Sequence, residues 1–238
     1  MAAREACYTR TMHYGFRSPA ARALLVGFFA VVVGASASAL DLSWVARGSI
    51  LAIFEDNGME GDPMPILPSL GAGAEFALPF FPILNFEPSL DLYGTYYGYS
   101  YTLDRAVPYA LENRSSLVIG LILGAPVAYR YRFPNGIMLR GFAGPSFDLR
   151  FCLVAGGLEG EDKDDAASQT SDIASYFWGS GRWFQPTAGI GADFPLLKGI
   201  RIGAELRTWF PIYKLWSGED LPAKEGWRVA ASIRFVFE

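Results

Sequence analysis

The chain has 238 residues, of which 51% are hydrophobic and only 18% are charged, and its formal net charge is −4. An acidic chain offers no basic surface to a polyanion, so nucleic-acid binding is excluded, and the high apolar content excludes a disordered tail. The apolar surplus over an ordinary soluble domain must be hidden from water.

Residues 1–39 are predicted to be a secretory signal peptide. Residues 23–39 carry no charge, follow two arginines and end in small side chains. This order of a basic, an apolar and a small-residue region is typical of an export signal. A start at Met12 would bring the signal within the usual length. The residues at the predicted cleavage site are Ala37, Ala39 and Leu40.

Residues 40–238 contain one cysteine, Cys152, and no histidine, because the only histidine is His13. Catalysis that relies on histidine and zinc sites that use histidine ligands are therefore excluded from the mature chain. We expect no catalytic residue, no metal site and no cofactor. An intrachain disulfide is excluded as well, so the fold is predicted to be stable without one.

Strand periodicity dominates residues 40–238, whereas no apolar run there reaches the roughly 18 residues of a membrane helix. In the last segment Val229, Ala231 and Ile233 alternate with less apolar neighbours. Such alternation predicts strands with two different faces. Eight strands are predicted, over residues 42–50, 70–78, 86–93, 117–133, 137–152, 184–196, 200–212 and 227–237.

The segments between these strands alternate in length. Short turns are predicted at 81–85, 134–136 and 197–199, and long connections at 55–68, 99–116, 154–183 and 215–226. An even number of antiparallel strands with short turns at one end and long loops at the other is typical of bacterial outer-membrane barrels. The sequence therefore predicts an all-β fold, an eight-stranded antiparallel transmembrane β-barrel formed by residues 40–238. It also predicts location in the outer membrane of a diderm bacterium, with short periplasmic turns and long loops at the cell surface.

The alternative is a soluble eight-stranded barrel with its apolar face inside. The composition of the polar face favours the membrane barrel, because its cations are arginines in near balance with acids, as a narrow, packed lumen requires. Aromatic residues gathered on the apolar face near the short-turn end resemble an interfacial girdle. The predicted lumen-lining charges are Arg47, Glu75, Glu87, Asp91, Arg130, Arg132, Arg140, Asp148, Arg150, Asp193, Arg201, Glu205, Arg207, Arg228 and Arg234.

Three short segments resemble the small eight-stranded outer-membrane barrels, most of all the OmpW group, with the OmpA transmembrane domain and the Ail or Opa-type barrels as alternatives. They are the run from Arg140 to Gly144, the run from Gly189 to Asp193 followed by Trp209, and the C-terminal Arg-Phe-Val-Phe. The resemblance implies passage of small hydrophobic molecules through a narrow lumen. It also implies an assembly signal, read by the barrel-insertion machinery, at Phe235 and Phe237.

Three functions follow as hypotheses. The first is a narrow, porin-like conduit for small hydrophobic or neutral solutes, with the lumen charges acting as a filter. The alternative is a non-conducting structural or adhesive barrel whose loops bind host or neighbouring molecules. The third, an enzyme in the barrel, is disfavoured by the absence of histidine. Outer-membrane lipid is an expected partner under each hypothesis.

Overall fold

The computed structural model describes residues 42–54, 66–79, 81–97, 116–154, 166–217 and 226–238. They fall within one compact unit, Asp41–Glu238. The predicted signal peptide, its cleavage site at Ala37, Ala39 and Leu40 and the alternative start at Met12 lie outside the described residues and stay predictions.

Eleven β segments form one antiparallel sheet. Their side chains alternate between two environments, because successive residues of a strand point to opposite faces. The segments are β1 Ser43–Ile53, β2 Ile66–Leu78, β3 Phe81–Phe86, β4 Ser89–Tyr97, β5 Ser116–Gly124, β6 Val127–Arg132, β7 Met138–Gly144, β8 Ser146–Val154, β9 Thr187–Leu197, β10 Ile200–Trp209 and β11 Arg228–Phe237.

Three prolines split three long strands into these shorter segments. Pro88 separates β3 from β4, Pro126 separates β5 from β6, and Pro145 separates β7 from β8. A proline has no N–H to give to a neighbouring strand, so regular pairing stops there. Each proline carbonyl nevertheless accepts a backbone hydrogen bond across the break, at 2.9 to 3.0 Å. The eleven segments therefore make eight barrel strands, as the sequence predicts.

The eight barrel strands close into a ring, because β1 pairs with β11 on one side and with β2 on the other. From Arg47, the register leads through β2, β4 and β5 to Asp148. In the other direction it leads through β11, β10 and β9 to Met138, ten residues earlier on the same barrel strand. Such a stagger accompanies strongly tilted strands, and eight of them enclose a space that side chains can fill.

The barrel is inside out relative to a water-soluble protein. On β11, Arg234 is 1% exposed, whereas its neighbour Phe235 is 37% exposed. On β1, Arg47 is buried and Trp44 and Ile50 are exposed. Polar side chains thus fill the interior and apolar side chains cover the outer wall, which is the arrangement that lipid surroundings require.

A helical segment covers one strand edge that the ring leaves without a regular neighbour. Beyond an isolated bridge between Phe147 and Phe184, β8 has no strand partner on its β9 side among the described residues. Helix α1, Ala166–Trp178, packs there, and the Trp178 indole donates a 3.0 Å hydrogen bond to the Arg150 carbonyl. Covering an edge in this way prevents it from pairing with another chain.

A short 3₁₀ turn, Gly179–Gly181, follows α1, and helix α2, Lys214–Ser217, follows β10. None of the helices in the described ranges is long and apolar enough to cross a membrane.

Several predicted boundaries are wrong. Strand β2 begins at Ile66, inside the connection predicted at 55–68, and β10 ends at Trp209 instead of residue 212. The turn predicted at 81–85 lies at Pro79, and Phe81–Phe86 is a strand. The prolines and the asparagine of residues 81–85 suggest a turn. Instead, these residues pair with β2, across a bulge between Ala77 and Leu78, and with β6. The regular strand predicted from residue 184 begins at Thr187, and the residues just before it form only an isolated bridge with β8 at Phe184.

Close packing of the wall at Gly189 generates a first prediction. A Cβ at Gly189 would lie 2.3 Å from Phe142 and 2.5 Å from the Leu206 carbonyl oxygen, whereas one at Gly141 would meet nothing within 4 Å. We expect Gly189→Ala to lower the unfolding free energy by about 1–3 kcal/mol, because relieving these contacts would require the backbone of a neighbouring strand to shift. The control Gly141→Ala should not destabilise. Urea unfolding of the refolded barrel in detergent measures both, and equal midpoints would contradict the packing argument.

Candidate functional site

Thirteen of the fifteen predicted lumen-lining charges are buried in the barrel interior. Arg130 is half-buried and lies with them. Arg132 does not: its side chain is exposed near the short-turn end of β6, where the strand passes out of the ring, so its assignment to the lumen is wrong. The thirteen buried residues are Arg47, Glu75, Glu87, Asp91, Arg140, Asp148, Arg150, Asp193, Arg201, Glu205, Arg207, Arg228 and Arg234.

Glycines make room for these charges inside a narrow ring. A Cβ at Gly71 would lie 2.1 Å from an Asp91 carboxylate oxygen, and a Cβ at Gly203 would lie 2.1 Å from an Asp193 carboxylate oxygen. Each of these acids therefore lies directly over the backbone of the neighbouring strand. The inward positions of the barrel hold both charged and minimal side chains for this reason.

Most of the interior charges form one connected set, here called the charge network. At its centre Glu75 accepts from three guanidiniums: Arg130 and Arg201 lie 2.5 Å and Arg234 lies 2.6 Å from its oxygens. Asp193 lies 3.2 Å from Arg201 and 3.5 Å from Arg234. Such multiply hydrogen-bonded pairs are the condition under which buried charges are tolerated.

The network continues across the lumen from Glu87. Its carboxylate oxygens lie 2.7 Å from Arg130 and 2.6 Å from Arg140, and Arg140 also pairs with Glu205. Each of the eight barrel strands contributes at least one member, so the network ties the ring together from inside. Further links join Arg207 to Glu205 at 2.7 Å, Arg207 to Asp91 at 3.4 Å and Arg47 to Asp91 at 3.2 Å.

A separate cluster, here called the upper triad, lies toward the long-connection end. The Asp148 carboxylate is 2.6 Å from Arg150 and 2.7 Å from Arg228, and it accepts a 2.9 Å hydrogen bond from the Tyr93 hydroxyl. The Phe177 ring of α1 lies 4.6 Å from the Arg150 guanidinium carbon. The triad is thus held by four elements, β4, β8, β11 and α1.

An apolar layer inside the barrel adjoins the upper triad. Leu51 and Ile53 continue the inward alternation of Arg47 and Ser49, beyond the predicted end of this strand at Ile50. The members of the layer are Leu51, Ile53, Tyr93, Ile122, Trp209 and Ala230.

Aromatic side chains lie exposed at both ends of the outer wall. At the short-turn end they include Trp44, Tyr129, Tyr131, Phe194, Phe235 and Phe237. At the long-connection end they include Phe151, Trp178, Trp216 and Trp227, a second group that was not predicted, because Trp178 and Trp216 lie in helices outside the predicted strands. Phe235 and Phe237 lie on β11 beside β1, and their reading by the insertion machinery stays a prediction.

The interior offers charge but little of the usual chemistry of metal sites. Among the described residues, no three side chains of the histidine, cysteine, aspartate and glutamate types lie close enough together to hold a metal ion. Cys152 is buried, and its sulfur lies 3.6 Å from the Thr170 carbonyl oxygen of α1. The arrangement therefore holds ion pairs and hydrogen bonds.

Comparison with known proteins shows similarity of fold only. No protein-family model and no curated protein matches the sequence. The structure is similar to Neisserial surface protein A, at 11% identity over 82% of this chain and 96% of that chain, with a TM-score of 0.45. It is similar to Ail of Yersinia pestis, at 10% identity, 82% and 96% coverage and a TM-score of 0.41. The N-terminal barrel domain of Pseudomonas aeruginosa OprF matches at 10% identity, 82% and 97% coverage and a TM-score of 0.34. At these values the fold assignment rests on the closed strand register.

The centre of the charge network generates a second prediction. Glu75→Gln leaves three guanidiniums around a neutral amide, so we expect the unfolding free energy to fall by about 3–5 kcal/mol. Glu238→Gln is the control, because the Glu238 carboxylate, which pairs with Arg201, is 45% exposed and should contribute about 0–1 kcal/mol. Urea unfolding followed by circular dichroism measures both variants. Similar losses for the two would show that Glu75 is not the centre of the network.

Proposed function

We propose that this protein is an outer-membrane barrel with a closed interior, which holds its long connections at the cell surface to bind host or neighbouring molecules. The observation that carries the proposal is the charge network, whose members come from all eight barrel strands and fill the lumen. Opening a path would separate buried ion pairs, at a cost of several kcal/mol for each. A stable closed barrel is the function that this geometry supports best.

Location in the outer membrane is supported by the outer wall. Its exposed side chains are apolar along the middle of the strands and aromatic at both ends, the arrangement that matches a lipid core between two interfaces. The short turns around Pro79 and at 134–136 and 198–199 lie at one end of the barrel. We infer that this end faces the periplasm and that the opposite end faces the outside. We also infer no enzymatic role, since the only histidine precedes the barrel.

A narrow conduit for small hydrophobic or neutral solutes is the second candidate, in keeping with the resemblance to the OmpW group. One observation favours it. An apolar depression of about 460 Å³ lies in the wall formed by β9, β10 and β11. Its lining includes the outward side chains Ile190 and Leu206 and the inward side chains Phe142 and Arg207, so an apolar molecule there would contact residues of both faces.

Planar-bilayer recording separates these two candidates. We expect no openings above baseline for the wild type, because the network fills the lumen. The double variant Arg140→Ala with Glu205→Ala removes a facing ion pair without changing the net charge, and it is expected to create small openings. Leu70→Ala on the outer wall, away from the depression, is the control and should stay silent. Steady wild-type openings would favour the conduit instead.

Cysteine labelling tests the orientation. In a Cys152→Ala background, Leu215→Cys places a thiol at an exposed position near the long connections, and Lys198→Cys places one in an exposed short turn. We expect a membrane-impermeant maleimide to label Leu215→Cys in intact cells and to label Lys198→Cys only after the outer membrane is broken. The reverse pattern would show that the barrel has the opposite orientation. If neither site is labelled in broken cells, neither residue is exposed.

A further inference from the structure

The depression in the outer wall has a floor of short side chains that the strand register places side by side. Thr208 on β10 lies directly opposite Ala188 on β9 and directly opposite Val229 on β11. All three are half-buried, point outward and line the depression of about 460 Å³. The depression exists because three neighbouring strands carry short side chains at the same level of the wall.

Larger side chains border this floor on both sides. Toward the short-turn end, the next outward pair is Ile190 and Leu206, which are directly opposed and are 64% and 50% exposed. Toward the long-connection end lies Trp227, and the Phe210 ring packs against its indole edge to face, with the ring centroids 5.3 Å apart. The depression therefore lies between an aliphatic pair and an aromatic pair of the kind found at membrane interfaces.

The polar groups of the lining are engaged elsewhere. The Thr208 hydroxyl donates a 3.0 Å hydrogen bond to the Arg228 carbonyl, and the Arg207 guanidinium belongs to the charge network. Gly189, opposite Arg207, has no side chain, and the Phe142 ring packs over it from the inner side. Toward the membrane, the depression therefore presents mainly hydrocarbon.

The shape and the surroundings of the depression favour one kind of occupant. A site for a small solute usually encloses its ligand and orients it with a few polar groups. This depression is instead open along the wall that faces lipid. An empty space beside a packed surface loses dispersion contacts, and a flexible hydrocarbon chain can restore them while the rest of its lipid stays in the bilayer.

We propose that the depression binds one acyl chain of a membrane lipid, held between the Ile190–Leu206 pair and the Phe210–Trp227 pair. The lipid belongs to the leaflet at the long-connection end, because the aromatic pair marks the interface on that side. The proposal rests on the location of the barrel in the outer membrane and is independent of whether the lumen conducts. The bound chain occupies the place that the conduit hypothesis leaves for a solute.

The test fills the depression with a protein side chain. Ala188→Leu enlarges the floor, and Val229→Phe does so from β11. The matched control is Ala72→Leu, the same substitution at an exposed alanine of β2 outside the depression. Each full-length mature barrel is refolded into phosphatidylcholine vesicles that contain a trace of phosphatidylcholine with a photoreactive diazirine in one acyl chain. Circular dichroism checks the fold, and mass spectrometry after irradiation measures the lipid attached to each peptide.

For the wild type and Ala72→Leu, we expect attachment concentrated on peptides with residues 188–190, 206–210 and 227–229. Ala188→Leu should lower this attachment about fivefold, because a filled floor removes most dispersion contacts of the chain, and should leave attachment to the rest of the wall unchanged. If Ala188→Leu does not fold, Val229→Phe decides in its place.

Two results would overturn the proposal. One is even attachment around the wild-type barrel, or the same pattern in the wild type and the filled variant; insertion of the barrel into the vesicles would then still support its membrane location. The other is preferential attachment of a small photoreactive solute, trifluoromethyl-phenyldiazirine, to these peptides without that of the lipid. That result would assign the depression to a solute.

Discussion

Closure of the backbone hydrogen-bond ring is the constraint on which the rest of this structure depends. In a membrane, an unpaired N–H or C=O group has no water to bind, so a sheet can cross only when its first and last strands pair. The pairing of β1 with β11 satisfies this condition along ten residue pairs. Where regular pairing stops, other groups take over: the proline carbonyls bridge three breaks, and α1 covers the edge of β8.

Closure with eight strands has a direct consequence for the interior. The enclosed space is narrow, and its walls carry the polar face of every strand, so the charges of one strand lie within reach of those of several others. Charges at this density persist only when they are paired. Glu75 receives guanidiniums from β6, β10 and β11, which no local sequence neighbour could provide. The ion pairs therefore fill the lumen. They also link strands that are not neighbours in the ring.

The character of the barrel interior changes along its axis. In the charge network each guanidinium pairs with at least one carboxylate. Near the long-connection end the inward residues become apolar. The interior thus passes from the charge network to an apolar layer and the upper triad near α1.

Much of the fold was contained in the sequence, because the two-residue period of a strand is a local property. It determined the eight barrel strands, the long and short connections, and the inward position of residues such as Arg47, Glu205 and Arg234. It did not determine the partners of these charges, since a stagger of ten residues around the ring brings Glu75 to Arg201 and Arg140 to Glu205 from distant parts of the chain. Arg132 shows the limit of the period, because its phase is inward but its strand has already passed the end of the ring. The apolar layer, the helix on the edge of β8 and the upper triad were decided only by the tertiary structure, because each depends on which strands face one another across the closed barrel.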